Sequence, residues 1–480
     1  LSLSGGSARS NYRVSADYRS ANGIDLYSGR EEYGARVALN HTTKGGLITF
    51  SLNVAPRIAY RKNASWDVFR NAVEANPTTP IMDPKDPSLY YNFKGQAAGY
   101  NPLELLKKDK STGTTKLLDW DGTVKLNLLP LLLNKEDRQT LTTQLTFADH
   151  QYDNYNQWFR PSTSTLAINA GREGEASQDY SKSAIRTLEW VTNYANSFGN
   201  HNFKVMAGYS YQYEQYSGLN AANKDFPNDA LEDNNLGSGT YAKDEGELGM
   251  GSYKNDSKLI SFFGRVSYDW KGRYMLTASL RHEGSSKFGE HHKWGNFPAI
   301  SAGWRISDEA FMAGTKSWLT DLKLRGDFGI TGNQSFDSYR SLNTMSGFGY
   351  YLYNGKYYQV WGPGKNVNPD LRWEKGQNWN VGLDWTLFGG DLYGSFNYYS
   401  RKQQDLLGDY NVSVPPYLFT STFVNVGTMR NSGFEFDLTW NAVKTKDFTY
   451  TINVIGATMS NKFVDFSNDK FVGQDYYDVV

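Results

Sequence analysis

From Lys258 to Trp304 apolar and polar residues alternate in register with a strand. Ile260, Phe262, Gly264, Val266, Tyr268 and Trp270 share one parity; Ser261, Arg265, Ser267 and Asp269 take the other, with Phe263 as an apolar intruder. After the turn at Lys271-Gly272, Tyr274, Leu276, Ala278 and Leu280 alternate with Thr277, Ser279 and Arg281. A third run, Phe297 to Arg305, follows a polar loop from His282 to Asn296. Period-2 alternation of this kind requires a sheet with one apolar and one wet face.

The same pattern recurs along the chain. Tyr12 to Tyr18 and Tyr33 to Asn40 are short alternating runs, and Lys44-Gly45-Gly46 turns into a strand from Leu47 to Val54. Between Arg61 and Lys116 the alternation stops. Ser65 to Glu74 reads as a short helix capped by Ser65, with Trp66, Phe69 and Val73 on one face. Asn76-Pro77, Thr79-Pro80, Asp83-Pro84, Asp86-Pro87 and Asn101-Pro102 then predict a structured loop. Strands follow at Leu117–Leu129, Gln139–Asp149, Ala184–Asn196, His201–Tyr216, Leu322–Thr331, Gln377–Phe388, Asp391–Tyr399, Gly433–Asn441 and Phe448–Val454. Polar stretches from Gln151 to Ser183, Asn223 to Asp256, Gly332 to Arg372 and Gln403 to Phe423 read as loops.

The connections alternate too. Short turns near residues 45, 134, 200, 272, 390 and 446 are separated by long loops near 90, 165, 235, 288, 350 and 413. Short turns at one end and long loops at the other are the plan of a transmembrane β-barrel. About sixteen strands of roughly ten residues suit a wide, all-β antiparallel barrel. Trp270, Tyr274, Trp385 and Tyr398 lie at strand ends, where aromatic girdles form. A large soluble β-protein is the competing reading; no blade repeat of 40 to 50 residues supports it.

Composition narrows the choice. The 480 residues include 50 basic and 50 acidic ones, so no basic excess exists to neutralise nucleic-acid phosphates. There is no cysteine, which excludes disulfides and thiolate chemistry. The 34 Tyr, 26 Phe, 13 Trp and 46 Gly coexist with a mean hydropathy of −0.61. The longest apolar patch, Leu128 to Leu133, is far short of the ~18 residues of a membrane helix. The chain begins at Leu1 inside a strand-like pattern, without a signal-peptide pattern, and stops at Tyr477-Asp478-Val479-Val480, so it reads as an internal piece of a longer protein.

Several segments in order resemble one family. GRYMLTASLRHEGSSKFGEHHKWGNFPAISAGWRISDEAFM from Gly272, LRGDFGITGNQSF from Leu324, NPDLRWEKGQNWNVGLDW from Asn368 and FVNVGTMRNSGFEFDLTWN from Phe423 are similar to SusC/RagA-type TonB-dependent outer-membrane transporters of Bacteroidetes. The loop from Asn76 to Leu106, with NPTTP and YNPLELL, looks like the same family. The resemblance implies a barrel of roughly 22 strands with a plugged lumen. The whole of 1–480 then belongs to that one barrel domain, and the signal peptide, TonB box, N-terminal plug and last strands lie outside this piece. It further implies active uptake of glycans or peptides in the outer membrane, with no bond chemistry and no cofactor. The implied partners are a SusD-like surface lipoprotein as lid, the TonB-ExbB-ExbD complex acting through the plug, outer-membrane lipid, and a dimer of transporter–lid pairs; nucleic acid is not one. A passive porin and a soluble carbohydrate-binding β-protein or glycosidase are the alternatives.

Candidate contact residues follow. Phe348, Tyr350, Tyr351, Tyr353, Tyr357, Tyr358 and Trp361 crowd the loop Gly347 to Trp361, and Trp158, Phe159 and Arg160 lie in another polar stretch. Flat aromatic faces suit sugar rings and equally a lipoprotein lid; a loop packed on itself would explain them without either. Asp225, Asp229, Glu232, Asp233, Asp244, Glu245 and Glu247 lack the spacing of a calcium loop and read as solvated charge. His291-His292 lack the spacing of a metal pair, and Asp119 and Asp121 form no acid/base dyad. No GxSxG, Walker or HExxH pattern occurs. The wet face, with Arg265, Ser267, Thr277 and Arg281, is expected to line the lumen, leaving specificity to the longer loops.

Overall fold

The computed structural model describes residues 1–65, 67–132, 139–246 and 249–465. Among them are 21 strands: β1 (Ser2–Gly6), β2 (Ser10–Asn22), β3 (Gly29–Thr42), β4 (Ile48–Lys62), β5 (Lys110–Asn127), β6 (Gln139–Arg160), β7 (Glu175–Phe198), β8 (His201–Lys224), β9 (Met250–Trp270), β10 (Tyr274–Ser285), β11 (Trp294–Arg305), β12 (Leu319–Asn333), β13 (Met345–Tyr353), β14 (Lys356–Pro363), β15 (Glu374–Leu387), β16 (Leu392–Gln404), β17 (Leu407–Asn411), β18 (Ser421–Asn425), β19 (Thr428–Lys444), β20 (Thr449–Ala457) and β21 (Ser460–Asp465). Helix is confined to short pieces such as α1 (Asp67–Glu74), α2 (Pro102–Lys108), α3 (Leu129–Leu132) and α4 (Thr165–Asn169). The chain divides into two compact units, one of residues 1–124, 146–187 and 213–256, the other of 125–145, 188–212 and 257–480.

In the first unit β1 to β4 pair antiparallel in sequence order. The register aligns like with like. Tyr12, Leu39 and Leu52 form one cross-strand row, and Tyr18, Tyr33 and Ile58 another. On the opposite parity Asp17, Gly34 and Arg57 line up, and Arg57 binds both Asp17 (3.2 Å) and Glu32 (3.3 Å).

In the second unit β9, β10, β11, β12, β15, β16 and β19 follow one another antiparallel, and β19 also pairs with β20 and β21. One ladder row runs across seven strands through Trp270, Tyr274, Trp304, Leu324, Leu383, Phe396 and Phe436. Tyr274, Leu324, Phe396 and Phe436 on it are exposed, as are Phe262, Val266, Leu276, Leu280, Ile300 and Phe328 on the same face. A contiguous exposed apolar face of this extent demands an apolar solvent. The other face carries Thr277, Ser301, Asp327, Asn380 and Tyr399 in one row. The expected parity therefore holds strand by strand.

The short turns are as read. Lys271 (φ 57°) and Gly272 (φ 67°) both take the left-handed conformation, and Arg273, the third residue between the paired Trp270 and Tyr274, donates its N–H to the Trp270 carbonyl (2.9 Å). The connector near 134 lies mostly outside the described residues, as do Trp66, Glu247 and the stretch 477–480.

The strand lengths are not as read. The expected crossings of about ten residues become 22 residues in β6, 24 in β7 and β8, and 21 in β9. Residues 151–160, 175–183 and 250–256, assigned to loops, are strand, as are Lys110–Lys116 and Ala55–Lys62. Where neither face is apolar the alternation vanishes from the sequence, yet the backbone ladder continues. Helix α1 begins as expected, with Ser65 Oγ accepting from the Asp67 N–H (3.3 Å). Its buried face is different: Val68 and Asn71 point inward, while Phe69 and Val73 are exposed.

Candidate functional site

The crowded aromatic segment is not an irregular loop. β13 and β14 form a hairpin closed by Asn354 (φ 49°) and Gly355 (φ 74°), both in the left-handed region of a type I′ turn. The Asn-Gly pair was the sequence signal for it. Ladder pairing puts Tyr351, Tyr353, Lys356 and Tyr358 on one face and Tyr350, Leu352, Tyr357 and Gln359 on the other. Tyr351 and Tyr358 stack at 5.7 Å, and Tyr353 meets Tyr358 edge-on at 6.3 Å. Both faces are open: Tyr357 is 74% exposed, Tyr350 68%, and Phe348, Tyr351, Tyr353, Tyr358 and Trp361 are exposed as well. A two-stranded ribbon with no core is marginal by itself in water. Its two flanks are joined where the Gly364 N–H donates to the Thr344 carbonyl (2.8 Å).

The loops on either side of the hairpin meet a buried knot of Phe288, Phe297, Leu371 and Trp373, joined by Phe336 and Phe423. Trp373 meets Phe288 at 4.6 Å and donates its Nε1–H to the Lys293 carbonyl (2.9 Å). Four loops are sewn around it. Asn425 accepts from the Arg372 N–H (2.9 Å) and donates to the carbonyls of Arg372 (2.7 Å) and Asp405 (3.0 Å). Asn366 donates to the carbonyls of Phe419 and Ser421, and Ser341 to that of Lys287. β17 and β18 form a second ribbon across residues 407–425, where the sequence pattern predicts a loop up to 423. Lys365 donates to the Tyr339 carbonyl, and its burial, aided by the nearby Arg340, pushes the amine pKa down. These asparagines were not singled out from the sequence. Nothing local distinguishes a loop Asn that bridges two segments from one in water.

Trp158, Phe159 and Arg160 are the last residues of β6, not loop residues, and they belong to the first unit. Phe159 is 4% exposed, packed with Ala176 and Phe226. Arg160 is clamped by Asp109 (Nη2–Oδ2 2.7 Å) and Glu175 (3.1 Å), and stacks over Trp158 at 5.0 Å. Burial pushes the Asp109 carboxyl up against the pull of that guanidinium. Trp158 lines a small cavity of about 140 Å³ with Tyr27, Leu105 and Asp109. Of the three, Trp158 reaches open space and the other two build the structure around it.

The acidic loop is solvated charge only in part: Asp244 and Glu245 are exposed, but the other four described carboxylates are engaged. Asp225 binds Arg172 (3.0 Å) and the Glu173 N–H (2.8 Å); Asp229 accepts from Ser162 N–H and Oγ–H; Asp233 accepts from Gln157 and Gln178; Glu232 pairs with Lys110. These carboxylates cap and tie strand ends, which lowers the number of unmet backbone donors there. His292 lies 3.8 Å from Asp370, Asp119 contacts His150, and Asp121 accepts from Asn53 (3.0 Å). No described helix is long and apolar enough to cross a membrane.

Comparison with known proteins agrees with this architecture. The family described as TonB dependent receptor-like, beta-barrel matches residues 66–479. TonB-dependent receptor P26 of Formosa agariphila is 29% identical over 491 aligned positions, covering 100% of this chain and 46% of the relative. TonB-dependent receptor SusC of Bacteroides thetaiotaomicron is 28% identical, covering 94% and 45%. The chain thus spans less than half the length of the curated relatives it matches. Among solved structures, the RagAB peptide importer in its 'closed-closed' state superposes with a TM-score of 0.79 at 19% identity, over 98% of this chain and 50% of that one. That likeness concerns the fold. With its antiparallel strands, its apolar outer rows and a family match over most of its length, the chain belongs to the TonB-dependent receptor-like β-barrel family.

Proposed function

We propose that this chain is wall and loops of an importer of oligosaccharides or peptides in the outer membrane of a Gram-negative bacterium of the Bacteroidetes. Members of the family reside in that membrane. The observation that carries the reading is the β13–β14 hairpin, which presents aromatic rings on both faces between flanking segments tied to neighbouring loops through Ser341 and Asn366. A coreless ribbon exposed this far gains order only when something covers it. A SusD-like lipoprotein lid covers one face and cargo the other. Energy arrives from TonB-ExbB-ExbD through a plug in the full-length protein, and two transporter–lid pairs assemble as a dimer. The names of the SusC relative and of the RagAB importer support this.

The test uses the full-length parent protein in its native membrane. Tyr351, Tyr353 and Tyr358 are changed together to Ser, and separately Tyr350, Tyr357 and Trp361. One set is expected to abolish co-purification of the lipoprotein, the other to lower cargo uptake with the lid retained. If neither set alters lid binding or uptake, the hairpin has no such role.

A further inference from the structure

The apolar face of β2 to β5 carries a groove at its short-turn end. Tyr12 on β2, Leu39 on β3 and Leu52 on β4 form one row of it, and Ser10, His41 and Phe50 form the next row toward the turns. Asn53 donates to Asp121 (3.0 Å), which sets β5 beside β4 and places Gly122 and Val124 on the apolar parity. Tyr12, Leu39, Phe50, Leu52 and Val124 are all exposed. Between them lies a cavity of about 640 Å³, within the range of small-molecule sites, about 300–1,000 Å³. Gly122 opens it, because a Cβ there would meet nothing within 4 Å. The lining also includes Asn11, Asn40, Ser51 and Thr123, which have the opposite parity. On that water side Asn40 donates to Asn11 (3.0 Å) and Thr123 meets Thr146 (2.9 Å). The groove itself faces away from the lumen, so a plug does not fill it.

The end of the groove carries charge of one sign. Ser10 Oγ and His41 Nδ1 meet at 2.7 Å. Beyond them the turns of residues 7–9 and 43–47 adjoin, and the Thr42 N–H donates to the Arg9 carbonyl (2.7 Å). Arg9 and Lys44 lie in these turns and are exposed, and neither turn holds a carboxylate. Short turns mark the periplasmic end of such a barrel, where the leaflet presents phosphodiester headgroups. A guanidinium binds a phosphate through two parallel hydrogen bonds, and an ammonium binds it as a point charge. An apolar groove that runs into a cationic end matches an anionic phospholipid in order, acyl chain and then headgroup.

We infer that this groove holds one phospholipid with an anionic headgroup from the periplasmic leaflet. An acyl chain lies over Gly122 against Leu52 and Val124, and Arg9, His41 and Lys44 meet the phosphate. The site needs the outer-membrane placement of the wall and neither cargo nor lid, so its failure leaves the importer reading standing.

The experiment is native mass spectrometry of the detergent-purified full-length parent. It is titrated with dioleoyl phosphatidylglycerol or dioleoyl phosphatidylcholine, which share their chains and differ in net charge. One phosphatidylglycerol is expected to stay bound at a concentration about tenfold below that needed for phosphatidylcholine. Gly122→Leu, which fills the groove without touching the wall, should remove that first lipid. Arg9→Gln with Lys44→Gln should bring the two lipids level. These substitutions fall at empty or exposed positions and should leave the circular dichroism unchanged. Equal retention of both lipids by the parent would overturn the site. So would a first phosphatidylglycerol that survives Gly122→Leu, or one that keeps its advantage without Arg9 and Lys44.

Discussion

Glu104 shows how single residues hold the loops of the first unit. It is 2% exposed, accepts from the Thr165 N–H (3.0 Å) and hydroxyl, and pairs with Lys108 at 3.2 Å. A carboxylate at the first turn of α4 meets backbone donors that have no other partner. Replacing it with Ala should destabilise the segment 161–174 by about 1–3 kcal/mol, read as faster amide exchange there and not in β10. Glu309 performs the equivalent task beside a short turn. It accepts from Tyr274 and from Trp304 Nε1 (3.0 Å), and Arg273 adds charge at 3.1 Å. The Tyr274 hydrogen bond, then that of Trp304, holds its carboxyl below the usual value of 4.5. Because the folded pKa is depressed, the contact contributes fully above that value and is lost as pH falls through the folded one. The protection of amides 305–315 relative to their intrinsic exchange should therefore fall on acidification below about pH 4.5, and Glu309→Gln should remove that step.

At the scale of elements, the β13–β14 hairpin depends on its turn. Gly355 at φ 74° would cost about 1–2 kcal/mol as any L-residue with a Cβ. In a ribbon without a core that is enough to fray it. Gly355→Val should broaden the tyrosine resonances of 350–358 while the knot around Trp373 keeps its signals. Equal loss at Trp373 would mean that hairpin and knot are one cooperative piece. The hairpin was legible in Asn354-Gly355 and was obscured because its aromatics do not alternate with polar residues. The same blindness hid the upper halves of β6 to β9, where no apolar face marks the period.

At the scale of the whole molecule, the sheet has a lipid parity and a water parity. Val266 and Leu280 are on the first, and Thr277 is on the second. An arginine on the lipid face near the bilayer midplane costs about 2–4 kcal/mol. Val266→Arg or Leu280→Arg should thus depress folding of the full-length parent into phospholipid vesicles, and Thr277→Arg should not. Equal effects at both parities would refute a membrane-facing row.

What the sequence determined by itself is the side of the wall residues in the alternating stretches and the order of those strands, because side-chain parity has an unvarying period of two and short turns carry their glycines openly. It also determined the family, through several motifs in order. What only the tertiary structure decided is which polar residues are structural. Asp225, Asp229, Asp233, Asn366 and Asn425 look like solvent-facing residues until their partners, tens of residues away, come into view.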